Sequence, residues 1–244
     1  AFTSNRYLQH VKPHGAMYNQ AVDDADLGKS ICEAVLEIDS DIILLALAGS
    51  TWIEVAKKMG MRVAREVFAD RAVHSDGTLV SRSREGAVIH DINEVVERSL
   101  QMVTEGKIVS VEGDMVEVEA DSICLHGDTP GAVDMAKTLK KKFKVQVGFS
   151  DHSEGIEVAI AAVALGASVI EKHCTLNKKM AGPDHAASLE FKDLKHLIEL
   201  SKKVKESLGS AKKKLLQSEK VLHSILSRRL VARKNISANS HLKM

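Results

Sequence analysis

The feature that most constrains this chain is an alternation between two sequence periods. Short runs rich in Val, Ile and Leu, at 41–47, 122–125, 145–149 and 167–170, read as buried strands. Between them lie stretches with helical spacing, at 30–38, 52–59, 93–104, 131–143, 156–165 and 191–208. Strand–helix alternation predicts a parallel sheet, open or closed into a barrel. About six βα units are present, fewer than the eight of a complete barrel. The expected fold is therefore α/β, parallel and barrel-like but incomplete. Residues 107–120 break the rhythm and read as a small hairpin turned at Gly113-Asp114. From Gly209 onward the alternation stops; 215–226 reads as one more helix, and 228–244 as the start of a further domain that breaks off.

Composition narrows the function classes. With 244 residues, 44% hydrophobic and 27% charged, the chain can bury a full core and is not disordered or fibrous. Aromatic residues at 3% argue against stacking platforms for single-stranded nucleic acid. Cys32, Cys124 and Cys174 are odd in number and far apart, which suits a reducing compartment and a cytoplasmic location rather than a disulfide framework. The apolar runs are too short or interrupted to span a bilayer, and no signal peptide opens the chain. It begins Ala1-Phe2-Thr3 without methionine, as a processed, trimmed or incomplete piece would. Residues 1–143 carry 16 Lys/Arg against 23 Asp/Glu, a net of −7, and residues 144–244 carry 18 against 10, a net of +8. The basic tail reads as a lysine-studded solvent face, with no nucleic-acid motif and no membrane segment beside it.

Polar pairs of the form i, i+2 close the expected strands: Lys12/His14, His126/Asp128, Ser150/His152 and Glu171/His173. Side chains two apart on a strand point the same way. The carboxyl ends of parallel strands form the ligand-facing rim of α/β folds. Turn residues accompany three of the pairs (Pro13 and Gly15; Gly127, Thr129 and Pro130; Ser153 and Gly155), so the pairs are placed to face a small-molecule ligand. His152 and His173, 21 residues apart, should end consecutive parallel strands about 4.8 Å from one another. Two inward imidazoles at that spacing can reach one divalent ion, with zinc, manganese and iron all compatible. Glu171 is then a ligand, a base or an orienting partner, and Asp184 lies in the following loop.

The run Val11-Lys12-Pro13-His14-Gly15-Ala16-Met17-Tyr18-Asn19 resembles the LamB/YcsF family, the A subunits of ATP-dependent 5-oxoprolinase. The likeness continues through 47–50, 65–71, 79–83 and Cys124-Leu125-His126-Gly127-Asp128, covering about residues 1–140. It implies a β/α barrel that, with two partner subunits and ATP, opens the lactam of 5-oxo-L-proline to glutamate. It implies site roles for Lys12, His14, Asp70, Arg71, Arg82, His126 and Asp128. A lysine and arginines suit a carboxylate or a phosphorylated lactam, and His126 with Asp128 suits acid–base work. The family's opening third has no counterpart in this chain.

From about residue 140 the resemblance changes. Residues 147–157, 164–176 and 182–189 are similar to the sialic acid (N-acetylneuraminate) synthase family. Members of that family condense phosphoenolpyruvate with an N-acetylated amino sugar in a TIM barrel, using a divalent metal such as manganese. The resemblance implies His152 and His173 as metal ligands, with Ser150, Glu171 and Asp184 around the reacting centre. Ser218-Glu219-Lys220 and Arg228-Arg229-Leu230-Val231-Ala232-Arg233 look like the linker into that family's antifreeze-like domain. The expected organisation is thus 1–143, 144–208 and 209–244, a chimera joined at the helix 137–143. An incomplete barrel leaves an open sheet edge, which suits a homodimer. Three activities stay open: 5-oxoprolinase-type hydrolysis, sugar-acid synthesis, or a chimeric or truncated chain catalysing neither.

Overall fold

The computed structural model of the chain describes residues 8–127, 129–228, 231–238 and 241. Asp128, Arg229, Leu230 and the opening Ala1-Phe2-Thr3 lie outside the described residues. The chain divides into two compact units, Ala1–Lys205 and Glu206–Met244.

In the larger unit the elements run β1 (His10–Val11), α1 (Ala16–Gln20), α2 (Ala25–Ile38), β2 (Ile43–Leu47), α3 (Thr51–Lys58), β3 (Arg62–Phe68), α4 (Ile92–Thr104), the hairpin strands β4 (Lys107–Val109) and β5 (Met115–Glu117), β6 (Ser122–Cys124) and α5 (Ala132–Phe143). Then come β7 (Phe149–Asp151), α6 (Glu157–Ala164), β8 (Ile170–Lys172) and α7 (Phe191–Leu208), whose last three residues belong to the smaller unit. Six parallel strands fall into two ladders: a four-stranded sheet in the order β1-β2-β3-β6, and the separate pair β7-β8. The fold is the expected parallel α/β arrangement, and no closed barrel forms among the described residues.

β2 is buried along nearly its whole length, as a central parallel strand covered on both faces should be. Its Leu44 and Ala46 pack with Cys32, Trp52 and Ala56 of α2 and α3 in the main core. A second cluster sets Ala69, Val95, Met135 and Leu139 between the sheet and α4–α5, and a third joins Ala159, Leu189 and Leu197 beside β7–β8. α2 begins at Ala25, earlier than the sequence pattern indicates, because Asp24 caps it by accepting from the backbone N–H of Asp26 (3.1 Å) and Leu27 (2.9 Å).

Three strand expectations need correction. β3 is not among the apolar runs, because Arg62, Arg65 and Glu66 interrupt it. Arg65 is satisfied across the sheet, donating bidentately to Asp121 at 2.6 and 2.9 Å and so holding the starts of β3 and β6 together. The expected strands 145–149 and 167–170 are displaced toward the C-terminus, to Phe149–Asp151 and Ile170–Lys172. At Gly148 the backbone passes so close to Val169 that an added Cβ would lie 2.9 Å from the Val169 Cβ. Regular pairing begins one residue later, with Phe149 opposite Ile170.

A comparable close approach locks α2 to α3. A Cβ at Gly28 would stand 2.4 Å from the Cβ of the fully buried Trp52. Gly28→Ala is expected to destabilise the chain by about 1–3 kcal/mol through overpacking, read as a lower urea midpoint at unchanged slope.

The smaller unit holds a 3₁₀ turn (Gln217–Glu219) and α8 (Lys220–Leu226), in place of one continuous helix over 215–226. Its described lysines are exposed, as a solvated face should be. No described helix is long and apolar enough to cross a membrane.

Candidate functional site

The carboxyl ends of β1, β3 and β6 converge on two buried polar groups. At the first, the Lys12 ammonium donates to Glu66 Oε1 at 2.6 Å, and the Tyr18 hydroxyl donates to Glu66 Oε2 at 2.9 Å. Glu66 is only 2% exposed, so each oxygen that has left water has found a donor. Lys12 also lies 5.7 Å from the Tyr18 ring centre and 5.6 Å from that of Phe68, within cation–π reach. Burial works against the Lys12 charge, but Glu66, then Cys124 and Glu171, outweigh it and raise its pKa. Burial pushes the Glu66 carboxyl up against the pull of Lys12 and Tyr18. It pushes the Cys124 thiol up to about 12, with Glu66 adding to the effect, which leaves that thiol inert as a nucleophile.

At the second group, the fully buried Asp70 accepts from His126 Nδ1 at 3.0 Å, from the His126 backbone N–H at 3.2 Å and from Thr129 Oγ1 at 2.5 Å. Burial would raise the Asp70 pKa; the His126 and Thr129 donors overcome it and hold the carboxyl below its ordinary range. An ionised Asp70 assigns the proton of His126 to Nδ1 and leaves Nε2 as an acceptor. The imidazole stacks on Phe68, with ring centres 5.6 Å apart at 14°.

A third cluster joins the two ladders. His14, following β1, meets His173, following β8, edge to face at 4.1 Å, and His152, following β7, at 5.8 Å. His14 Nε2 lies 3.8 Å from Asp184 Oδ2. One ligand atom each from His14, His173 and Asp184 falls within 4.8 Å of the others, a group able to hold a metal ion. Burial, ahead of neighbouring histidine charge, lowers the pKa of His173. Burial does the same at His14 despite the opposing pull of Asp184. The rings therefore favour the neutral form that binds metals, and two imidazoles with a carboxylate make a donor set that suits a divalent ion.

The remaining predicted residues are distributed as follows. Glu171 is paired with His10 at 2.8 Å and acts electrostatically on Lys12, while Ser150, opposite it in the ladder, has its Oγ 3.4 Å from His152 Nε2. Arg71 is 7% exposed and donates to the carbonyls of Val80 and Ala87, so its guanidinium fastens its own loop. Arg82 is exposed near it, and after burial is the next influence lowering the Arg71 pKa. Glu66, Tyr18, Thr129 and His10 are site residues that sequence reasoning misses. A signal for Glu66 is present: an acid followed directly by Val67, Phe68 and Ala69 needs a buried partner.

The LamB/YcsF family matches residues 1–153 and the NeuB family residues 132–213, overlapping across α5. The A subunit of 5-oxoprolinase from Alkaliphilus metalliredigens is 50% identical over 143 residues, covering 57% of this chain and 56% of the relative. The one from Pyrococcus furiosus is 49% identical over 137 residues, covering 56% and 54%. The solved structure of a lactam utilization protein from Thermus thermophilus is 38% identical with a TM-score of 0.52, over 57% of this chain and 56% of that one. The chain spans about half the length of the curated relatives it matches.

Proposed function

The chain belongs to the LamB/YcsF family, and from that premise we propose that it carries a lactam-opening site like that of the 5-oxoprolinase A chain, acting on 5-oxo-L-proline with ATP and partner subunits. The observation carrying this reading is the Asp70–His126 dyad standing with Lys12–Glu66 at the carboxyl ends of one parallel sheet. In it, His126 Nε2 takes the proton of the water that attacks the lactam carbonyl carbon, and Asp70 stabilises the resulting imidazolium. That proton passes to the lactam nitrogen as the C–N bond breaks to give the amine and the new carboxyl group of glutamate. Lys12 supplies the cation for the substrate carboxylate or a phosphorylated lactam oxygen, and Glu66 and Tyr18 fix its position. Arg82 adds a second cation at the rim and Arg71 steadies its loop, while an acid–base role for Asp128 rests on the family resemblance alone. The segment 1–143 would carry this chemistry, with 144–208 completing the rim.

The test is 5-oxo-L-proline turnover with ATP and partner subunits. His126→Ala is expected to lower kcat by about 100- to 10,000-fold, the usual worth of a positioned acid–base group. No glutamate from the unaltered chain under those conditions would overturn the reading and leave a chimera inactive in this reaction.

A second reading is favoured by one observation: His152 and His173 stand in contact past the ends of the parallel pair β7-β8. It is a sialic-acid-synthase kind of condensation between phosphoenolpyruvate and an N-acetylated amino sugar, with a divalent ion such as manganese at His152 and His173. When bound, that ion would supply a Lewis acid; Glu171 and Ser150 would orient the reactants, with Asp184 as acid or base. Phosphoenolpyruvate consumption dependent on the sugar and the metal tests it.

A further inference from the structure

We propose that the outward face of α4 and α5 is a dimerisation surface, which packs on the same face of a second copy of this chain about a twofold axis. The inference stands apart from both catalytic readings and places the contact on helices rather than on the open sheet edge.

The two helices lie side by side and run the same way. Their inner residues Val95, Val96, Met135 and Leu139 share one core. A Cβ added at Gly131, just before α5, would lie 3.6 Å from the Ile92 side chain that opens α4. Their outer sides carry opposite charge. On α4, Glu94, Glu97, Gln101 and Glu105 recur every three or four residues and so form one strip. With Arg98 and Leu100 they line a shallow hollow of about 320 Å³. On α5, Lys137, Lys141 and Lys142 line a second hollow, of about 550 Å³, together with Thr138. Lys137 meets Asp134 at 3.1 Å, but the two side chains stay 72% and 70% exposed, so the pair is open to a further partner. Leu100 and Val103, 36% and 45% exposed, continue the stripe of Ile92 and Val96, the side of α4 that meets α5. Exposed apolar surface therefore separates an acidic strip from a basic one.

A face divided in this way matches itself. Rotation by half a turn about an axis through the seam lays α4 antiparallel on α5 of the second copy. The Glu94 and Glu97 end then meets Lys141 and Lys142, Glu105 meets Lys137, and Leu100 and Val103 meet their own counterparts near the axis. The result is an apolar centre with a charged rim, the usual anatomy of an interface. A membrane or a protein of single charge would suit one strip and be repelled by the other. With 13 residues, α4 is about 20 Å long at its rise per residue. Two such helices side by side bury on the order of 1,000 Å² over both copies, the lower limit for a specific contact, so association is expected in the micromolar range.

The test is sedimentation velocity of the whole chain from about 1 to 100 µM, at about 0.05 and 0.5 M salt. A monomer–dimer equilibrium is expected, weaker at the higher salt. Glu97→Lys with Gln101→Lys, and separately Lys137→Glu with Lys141→Glu, set like charges against each other in the homodimer and should each weaken it by about 10- to 100-fold. Mixed in equal amounts, the two variants present opposite charges to one another again and should form a heterodimer of parental affinity. The substituted positions lie on the outer sides of their helices, and circular dichroism checks that the variants fold. A parent chain that stays monomeric throughout, a dimer that both variants leave unchanged, or variants that do not associate when mixed would overturn the proposal. So would a monomer that binds phosphatidylserine vesicles and loses that binding only in the lysine variant, because the basic strip would then serve an anionic surface.

Discussion

Asp151→Ala is expected to lose about 3–5 kcal/mol of folding stability, a large share of what a domain of this kind possesses. Asp151 and Lys172 meet at 3.0 Å between β7 and β8, with side chains 0% and 1% exposed. The lysine also donates to the Ser153 carbonyl, and Asp151 accepts from the Ser153 hydroxyl at 2.6 Å and its backbone N–H at 2.9 Å. Removing the carboxylate strands an ammonium that has no water to return to. Lys172→Met should be milder, because it removes the buried cation and keeps an apolar stem of similar length. Burial alone would raise the Asp151 pKa, but Ser153 and Lys172 hold it below its ordinary value. The sign follows: the stabilisation is fully present above the unfolded carboxyl's value near 3.8 and is lost as pH falls through the depressed folded value. Urea unfolding between pH 7 and pH 2 should show a shallower acid decline in the Asp151→Ala chain than in the parent. Equal stability of the two at pH 7 would refute the buried pair as a fastening.

Asp70→Asn should lower turnover in the lactam assay by about 100- to 10,000-fold with little change in KM. The amide keeps the shape of the carboxylate but cannot assign the proton to His126 Nδ1 or stabilise an imidazolium. Stability should fall as well, because Thr129 and the His126 backbone N–H lose a charged acceptor. Turnover that survives Asp70→Asn while the fold loosens would make Asp70 a structural anchor only. The two readouts therefore separate chemistry from scaffolding.

How much of this is legible in the sequence depends on where each residue finds its partner. β2 is readable because it is buried on both faces, so burial writes itself into the local run, and β6 because half-buried Ile123 and Cys124 still make a short apolar run. β3 is not, because Arg65 answers to Asp121 and Glu66 to Lys12, partners more than fifty residues away that no local period reports. The i, i+2 pairs at strand ends do place His14, His152 and His173 at one rim, since strand geometry fixes direction without needing distant information. Which histidine faces a carboxylate and which faces another imidazole is a matter of loop path and rotamer. The spacing of 21 residues between His152 and His173 therefore suggests a pair where three imidazoles and Asp184 gather. Arg71 shows the converse: its charge suggests ligand binding, but the carbonyls around it cannot be seen in the sequence.

The four-stranded sheet and the β7-β8 pair meet through side chains, His10 to Glu171 and His14 to His173, with no backbone ladder between them among the described residues. A ladder fixes spacing to within one residue, whereas imidazole tips reached by rotatable bonds do not. The seam between the two sheets is therefore set by side-chain torsions, each of which costs about 1 kcal/mol when pushed roughly 30° from its rotamer.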